Sequence, residues 1–221
     1  LTVDKNIQFL IREELIKYNE IFRAKGSAAI LMDVNTGQII SLVSLPDFNP
    51  NKRANITDVN YINRVTKGVY ELGSVFKTFT LAAGFHEGVI EPDTEFKDLE
   101  KSINCGKNTI NEYDKKIPSN LTAEQILIRS GNIGSVRIGQ AIGLEKFRKF
   151  MNDLNLINSI QFDIEEVGVP VSFKWGKCKL ATASYGHGIT TTILQLANAY
   201  SIIVNGGYKI NPTLIKKKVI L

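Results

Sequence analysis

The feature that most constrains this chain is the order of its hydrophobic patterns: helical spacing first, then two strand-like runs up to residue 45, and mostly helical spacing after that. Residues 4–22 carry apolar side chains at the spacing of an amphipathic helix, with Asp4 at its N-cap. The runs 27–34 and 38–45 flank the turn sequence Asn35-Thr36-Gly37 and predict a β-hairpin. Both runs are almost continuously apolar, so we expect packing on both faces, with the helix covering one. A two-stranded sheet is marginal alone, so we expect the hairpin to belong to a larger sheet.

Helical patterns dominate the rest of the chain. Two of these helices open with capping boxes, Thr122–Gln125 and Thr192–Gln195, and the second ends at Asn205-Gly206-Gly207. Residues 91–120 contain proline and glycine and predict a loop, and a polar stretch between Asn51 and Arg64 predicts another. After the hairpin we expect a helix that begins near Gly73-Ser74 and runs toward Phe85, and another that follows the first capping box and is interrupted or ended by Ser130-Gly131-Asn132. Helical patterns resume to Gly143 and again from Leu144 to Leu154, and the last predicted helix runs from the second capping box to Val204.

Composition restricts the classes of function. The chain is 43% hydrophobic and 22% charged, which is typical of a globular protein that builds its core without metals or disulfides. The net charge of +5 is spread along the chain apart from Lys216, Lys217 and Lys218, so a nucleic-acid partner is not expected. No apolar run reaches the roughly 18 residues of a membrane span, and no signal peptide stands at Leu1.

Cysteine and histidine indicate no cofactor or metal. Cys105 and Cys178 lack zinc-ligand spacing, and the sequence leaves open whether they are bonded. His86 follows an apolar helix and has a structural interpretation, while His187 either lines a cleft or is an ordinary loop residue. Neither a G-x-S-x-G elbow nor a P-loop occurs.

Ser74 and Lys77 stand three positions apart at the start of a predicted helix, so they share one face. A helix N-terminus favours a developing oxyanion, and a lysine in an apolar pocket has a lowered pKa and can act as a base. This spacing suits a serine acyl-transfer enzyme. A single Ser-x-x-Lys match is about what chance gives, however, and by itself it also fits an N-cap serine followed by a surface lysine.

Two Ser-x-Asn sequences could supply a second element of such a site. Ser102-Ile103-Asn104 lies in the predicted loop and has the interpretation of a turn. Ser130-Gly131-Asn132 follows a capped apolar helix, which would hold it rigidly, so we prefer it. Its alternative interpretation is a plain helix end with Gly131 in the left-handed conformation.

Five segments, in order and covering most of the chain, resemble the transpeptidase domain of class B penicillin-binding proteins. The nucleophile segment is Tyr70 to Thr80, and the second motif is Arg129 to Gly134. The pattern is most similar to the septal, cell-division branch. The other segments are Ser27 to Pro50 with Val34-Asn35-Thr36-Gly37, Ser184-Tyr185-Gly186-His187-Gly188-Ile189, and Gln195 to Tyr200 with Asn205-Gly206-Gly207.

The resemblance implies an α+β, β-lactamase/transpeptidase-like fold, with an antiparallel sheet flanked by helices and a mostly α-helical subdomain. It implies that Ser74 is acylated by a peptidoglycan stem peptide ending in D-Ala-D-Ala, with Lys77 as its base. Ser130 would relay the proton to the leaving D-alanine, and Asn132 would orient the substrate amide. β-Lactams would acylate the same serine, and no cofactor or metal is implied.

The chain departs from the family in one respect, since Lys-Thr-Gly and Lys-Ser-Gly do not occur in it. We therefore expect residues 1–221 to form one transpeptidase domain that is incomplete at its C-terminus, without its last strands, and a poor catalyst alone. The parent protein would be anchored on the periplasmic side of the bacterial inner membrane, with divisome or elongation-complex proteins as partners.

Two other functions remain open. A β-lactamase or β-lactam sensor domain shares the fold and the Ser-x-x-Lys element, although no residue clearly signals an activated water for deacylation. A non-catalytic scaffold of a cell-wall assembly complex would also be compatible with the missing third motif.

Overall fold

The computed structural model describes residues 1–52 and 61–216, so most of the predicted polar stretch around Arg53 and two of the terminal lysines lie outside the described residues. The chain divides into two compact units. The first comprises Leu1–Tyr70, Leu154–Pro170 and Thr191–Leu221, and the second comprises Glu71–Asp153 and Val171–Thr190.

The first unit contains the predicted helix and hairpin. Asp4 caps the first helix, as predicted, because its side chain accepts hydrogen bonds from the backbone N–H groups of Asn6 at 2.8 Å and Ile7 at 3.1 Å. The elements are α1 (Lys5–Phe22), β1 (Ser27–Met32), β2 (Ile39–Leu45), β3 (Val69–Tyr70), β8 (Thr191–Thr192) and α7 (Ile193–Val204).

The hairpin pairs antiparallel from Ser27 opposite Leu45 to Met32 opposite Ile39. β2 buries every second side chain, whereas no residue of β1 is fully buried, so the faces are less evenly covered than the continuous apolar runs suggested. The predicted cover by α1 is present, since the Gln8 amide pairs with both backbone polar groups of Leu42 at 2.6 and 2.8 Å. In the described part of the chain β1 and β2 pair only with each other.

The core of this unit lies between the hairpin and α7. Ile39, Val65, Ile160 and Leu194 form one buried cluster. The capping box that opens α7 is confirmed, because the side chains of Thr192 and Gln195 each bond to the other's backbone N–H.

The second unit is mainly helical. Its helices pack closely: a Cβ on Gly134 would lie 2.5 Å from the Ile126 side chain, and one on Gly139 would lie 1.9 Å from the Ser184 hydroxyl. The elements are α2 (Phe76–His86), β4 (Glu95–Phe96), β5 (Ser102–Cys105), β6 (Asn108–Asn111), β7 (Leu121–Thr122), α3 (Ala123–Ile128), α4 (Asn132–Ile142), α5 (Leu144–Asp153) and α6 (Lys177–Ala183).

The loop predicted over residues 91–120 is wrong in part. It contains β4 and the antiparallel hairpin β5–β6, so Ser102-Ile103-Asn104 lies on a strand rather than in a turn. The physical reason is that these strands are four residues long and mostly exposed and polar, with Ile110 their one fully buried side chain. Such strands lack the apolar alternation on which sequence recognition depends.

Within the described ranges, none of the helices has both the length and the apolar character needed to cross a membrane.

Candidate active site

Ser74 lies in a 3-10 turn, Gly73–Val75, that leads directly into α2. The sequence predicted a helix start at this point, and the structure refines its first turn from α to 3-10. Gly73 has a φ of +61°, a conformation that suits glycine. A Cβ on Gly186 would lie 1.9 Å from the Gly73 carbonyl oxygen, so the loop after α6 packs against the peptide before Ser74. Ser74 itself is exposed.

Lys77 is almost fully buried in the first turn of α2, with 1% of its surface exposed. Its ammonium nitrogen donates to the Ser130 hydroxyl at 2.9 Å, to the Asn132 side-chain oxygen at 2.7 Å and to the Ser130 carbonyl. The Ser-x-x-Lys and Ser-x-Asn elements are therefore joined through this one side chain. A buried ammonium requires such partners, because an unpaired one would be strongly destabilising.

The environment of Lys77 changes its proton affinity. Burial lowers the pKa of Lys77 to about 8, while the negative charge of Glu112 acts in the opposite direction and raises this pKa. The Tyr113 ring lies 5.9 Å from the Lys77 nitrogen and adds a favourable cation–π contact. A lysine with this pKa is partly neutral near neutral pH, so it can accept a proton.

Ser130 has an unusual backbone conformation between α3 and α4. Its φ is +52°, in the left-handed region, whereas Gly131 is extended at φ −67° and ψ 126°. The alternative interpretation of this segment, a plain helix end with Gly131 in the left-handed conformation, is wrong, because Ser130 and not Gly131 has that conformation. A non-glycine residue in this region is held against local strain by its surroundings, in this case by the bonds to Lys77.

Glu112 is the residue that sequence reasoning missed. Its two carboxylate oxygens accept the backbone N–H groups of Asn132 at 2.8 Å and Ile133 at 2.9 Å. The carboxylate thus caps the N-terminus of α4, where the helix dipole favours negative charge. An ordinary N-cap residue stands immediately before its helix, but Glu112 is 20 residues from Asn132, so no local signal could have identified it.

Asn132 has a second anchor on the same segment, since its side-chain nitrogen donates to the Asn111 carbonyl at 3.0 Å. The Tyr113 hydroxyl donates to the Arg129 carbonyl at 2.9 Å. Residues 111–113 therefore contact both sides of Ser130.

The first Ser-x-Asn sequence lies on β5, where Ser102 and Asn104 are both exposed. The Asn104 side-chain oxygen accepts from the Thr109 hydroxyl at 3.0 Å, across the hairpin. Nothing places this pair beside Lys77, whose hydrogen bonds go to Ser130 and Asn132.

The remaining candidates have structural partners. His187 is exposed and lies 3.4 Å from the Glu71 carboxylate, and its ring stacks parallel to Tyr185. His86 ends α2 beside the Phe150 ring, which agrees with the structural interpretation. Cys105 and Cys178 form a disulfide, which answers the question that the sequence left open.

The transpeptidase domain model of penicillin-binding proteins matches residues 27–220. The chain belongs to this family. A probable peptidoglycan D,D-transpeptidase FtsI of Caulobacter vibrioides is 32% identical over 98% of the chain, and a probable peptidoglycan D,D-transpeptidase PenA of Neisseria flavescens is 30% identical over 94% of it. The chain spans 36% and 52% of these relatives' lengths, respectively.

Solved structures show the same fold. The transpeptidase domain of Burkholderia pseudomallei penicillin-binding protein 3 superposes with a TM-score of 0.87 at 25% identity, covering 100% of this chain and 62% of that one. A peptidoglycan glycosyltransferase of Burkholderia ambifaria has the same TM-score and identity, with 66% of its chain covered. The resemblance drawn from the five sequence segments and the predicted fold class are confirmed.

Proposed function

We propose that the chain carries the nucleophile and the proton-transfer half of a peptidoglycan D,D-transpeptidase site, with Ser74 as nucleophile. The observation that carries this proposal is the buried Lys77, whose pKa is lowered to about 8 and whose nitrogen bonds to both Ser130 and Asn132. The membership in a penicillin-binding family supports it.

In the proposed acylation step, Lys77 in its neutral form accepts the Ser74 hydroxyl proton while the oxygen attacks the carbonyl carbon of the penultimate D-alanine. The negative charge that forms on the carbonyl oxygen is directed toward the Ser74 backbone N–H at the helix start. When the carbon–nitrogen bond breaks, the leaving D-alanine receives a proton from the Ser130 hydroxyl, which Lys77 reprotonates across 2.9 Å. Asn132 orients the substrate amide, and Lys77 fixes its side-chain oxygen.

In the second step, an amine of a neighbouring stem peptide attacks the ester carbonyl. The amine loses a proton through the same groups, the Ser74 oxygen regains one, and a cross-link is formed. The ring of a β-lactam would acylate Ser74 in the same way as the donor peptide.

We further propose that residues 1–221 constitute one such domain and take a Lys-Thr/Ser-Gly motif from additional sequence, because no such motif occurs in them. The parent protein would act on the periplasmic side of the inner membrane in cell-wall synthesis, at the division septum, with divisome or elongation-complex partners. The Cys105–Cys178 disulfide suits an oxidising compartment outside the cytoplasm.

The test is gel labelling with a fluorescent penicillin of the 221-residue chain, of a version extended through a Lys-Thr/Ser-Gly motif, and of its Ser74→Ala variant. We expect the extended protein to label, Ser74→Ala to remain unlabelled, and the 221-residue chain to label weakly or not at all. An unlabelled extended protein would contradict the catalytic proposal and leave the scaffold function. Rapid turnover of a chromogenic cephalosporin would instead identify a β-lactamase.

A further inference from the structure

The hairpin β5–β6 connects the candidate site to a disulfide that the proposed reaction does not use. β6 ends at Asn111, and the three residues from Asn111 to Tyr113 make the contacts around Ser130 and Asn132 described above. The position of this hairpin therefore determines where Glu112 presents its carboxylate to α4.

The hairpin has little packing of its own to fix that position. Within the described residues its strands pair only with each other, and most of their side chains are exposed, with Ile110 as the fully buried exception. A two-stranded sheet with so small an apolar face is marginal in water. The hydrogen bonds of residues 111–113 hold one end of the hairpin, and a second attachment at its turn would fix its orientation against the helices.

The disulfide provides that attachment. Cys105 is the last residue of β5, and Cys178 lies in the first turn of α6, 73 positions later in the chain and 5.4 Å away between Cα atoms. α6 is itself fixed, because Ser184 at its end packs against Gly139 of α4 and accepts the Thr80 hydroxyl bond from α2 at 2.8 Å. The disulfide thus connects the turn of the hairpin covalently to the helices of the second unit, which also carry Lys77 and Asn132.

We propose that the Cys105–Cys178 disulfide is a positioning element of the acyl-transfer site and acts through Glu112. The intact bond holds the hairpin so that Glu112 caps α4, and the cap holds Ser130 and Asn132 on the Lys77 nitrogen. The inference rests on the proposed function for its effect on rate, but the contact between the hairpin and α4 can be tested separately. In the test, an added dithiol reduces the disulfide to two cysteine thiols and is itself oxidised to a disulfide.

The first measurement is native-state hydrogen exchange of the extended protein, oxidised and reduced, with thiol labelling to confirm the state of both cysteines. We expect the amides of Asn132 and Ile133 to exchange about tenfold faster after reduction, because Glu112 no longer accepts their hydrogens reliably. The amides of α7, in the other unit, are the internal control and should not change. Unchanged protection at Asn132 and Ile133 would overturn the proposal.

The second measurement is the rate constant of Ser74 acylation by a fluorescent penicillin at a temperature well below unfolding. Reduction should slow it about tenfold, since small displacements of catalytic groups are costly. The matched control is Cys105→Ser/Cys178→Ser, which should be equally slow and insensitive to reductant. A lower melting temperature with an unchanged acylation rate would mean that the bond only stabilises the fold, and would overturn the proposal.

A mutant cycle tests the route through Glu112. Glu112→Ala should slow acylation by a similar factor, and the triple variant with both cysteines replaced should be no slower than Glu112→Ala alone. Multiplicative effects would show that the disulfide and Glu112 act independently, contradicting the proposal. If no form of the protein reacts with penicillin but the exchange result holds, the catalytic function fails while the connection between disulfide and cap stands.

Discussion

The chain contains the sequence Ser-x-Asn twice, and the two copies lie in very different surroundings. Ser102 and Asn104 are exposed on a short polar strand, where Asn104 bonds to its cross-strand neighbour Thr109. Ser130 lies between α3 and α4, Asn132 is the first residue of α4, and both accept hydrogen bonds from the buried ammonium group of Lys77. The same residue types are ordinary exposed side chains in one place and a candidate proton relay in the other. The motif therefore acquires chemistry only from the groups that surround it.

Removing the lysine should erase the difference between the two copies and have the largest effect. We expect Lys77→Met to reduce the rate of Ser74 acylation by penicillin about 10³-fold or more, because a general base typically contributes 10²–10⁴-fold. Stopped-flow or gel kinetics on the extended protein measure this rate. A loss of less than about tenfold would mean that another group accepts the serine proton.

The two asparagines provide a matched pair. Asn132→Ala should slow acylation about 100-fold, because it removes both the acceptor for Lys77 and the side chain proposed to orient the substrate. Asn104→Ala, at the equivalent position of the other copy, should leave the rate unchanged. Equal effects of the two substitutions would contradict the choice of Ser130-Gly131-Asn132.

The pH dependence of Ser74 acylation should also distinguish the two Ser-x-Asn copies, with a smaller expected effect. Since the neutral form of Lys77 is the base and its pKa is about 8, acylation should rise about tenfold from pH 7 to pH 9 and then level off. Glu112→Gln removes a negative charge that raises this pKa, so the midpoint should move to lower pH. Asn104→Ala should keep the wild-type profile. A rate independent of pH in this range would contradict Lys77 as the base.

The smallest expected effects are on the free energy of unfolding, from substitutions of the residues that hold each Ser-x-Asn copy in place. Thr122→Ala removes the cap of α3, the helix that precedes Ser130, and should lower the free energy of unfolding by about 1 kcal/mol. Thr109→Ala removes the bond to Asn104 on the exposed hairpin and should cost less than about 0.5 kcal/mol. Urea denaturation of the two variants compares them, and a larger cost for Thr109 would show that the hairpin is more tightly held than its exposure indicates.

Much of the fold could be predicted because its signals are local. The Asp4 cap, the hairpin 27–45 and the capping boxes at Thr122 and Thr192 all depend on residues within a few positions of one another, and all are present. The hairpin β5–β6 was missed because its four-residue strands are polar and exposed.

Among the helices that the structure describes, the sequence by itself predicted all but α6 (Lys177–Ala183). It also determined the main hairpin, the family and the four candidate residues Ser74, Lys77, Ser130 and Asn132, since spacing and motif order are present in the sequence. Only the tertiary structure decided that Lys77 is buried and bonded to Ser130 and Asn132, that Ser130 takes the left-handed conformation, that Glu112 caps α4 and that Cys105 is bonded to Cys178. The physical reason is that each of these features depends on groups far apart in sequence, and burial and charge at such contacts exist only once the chain has folded.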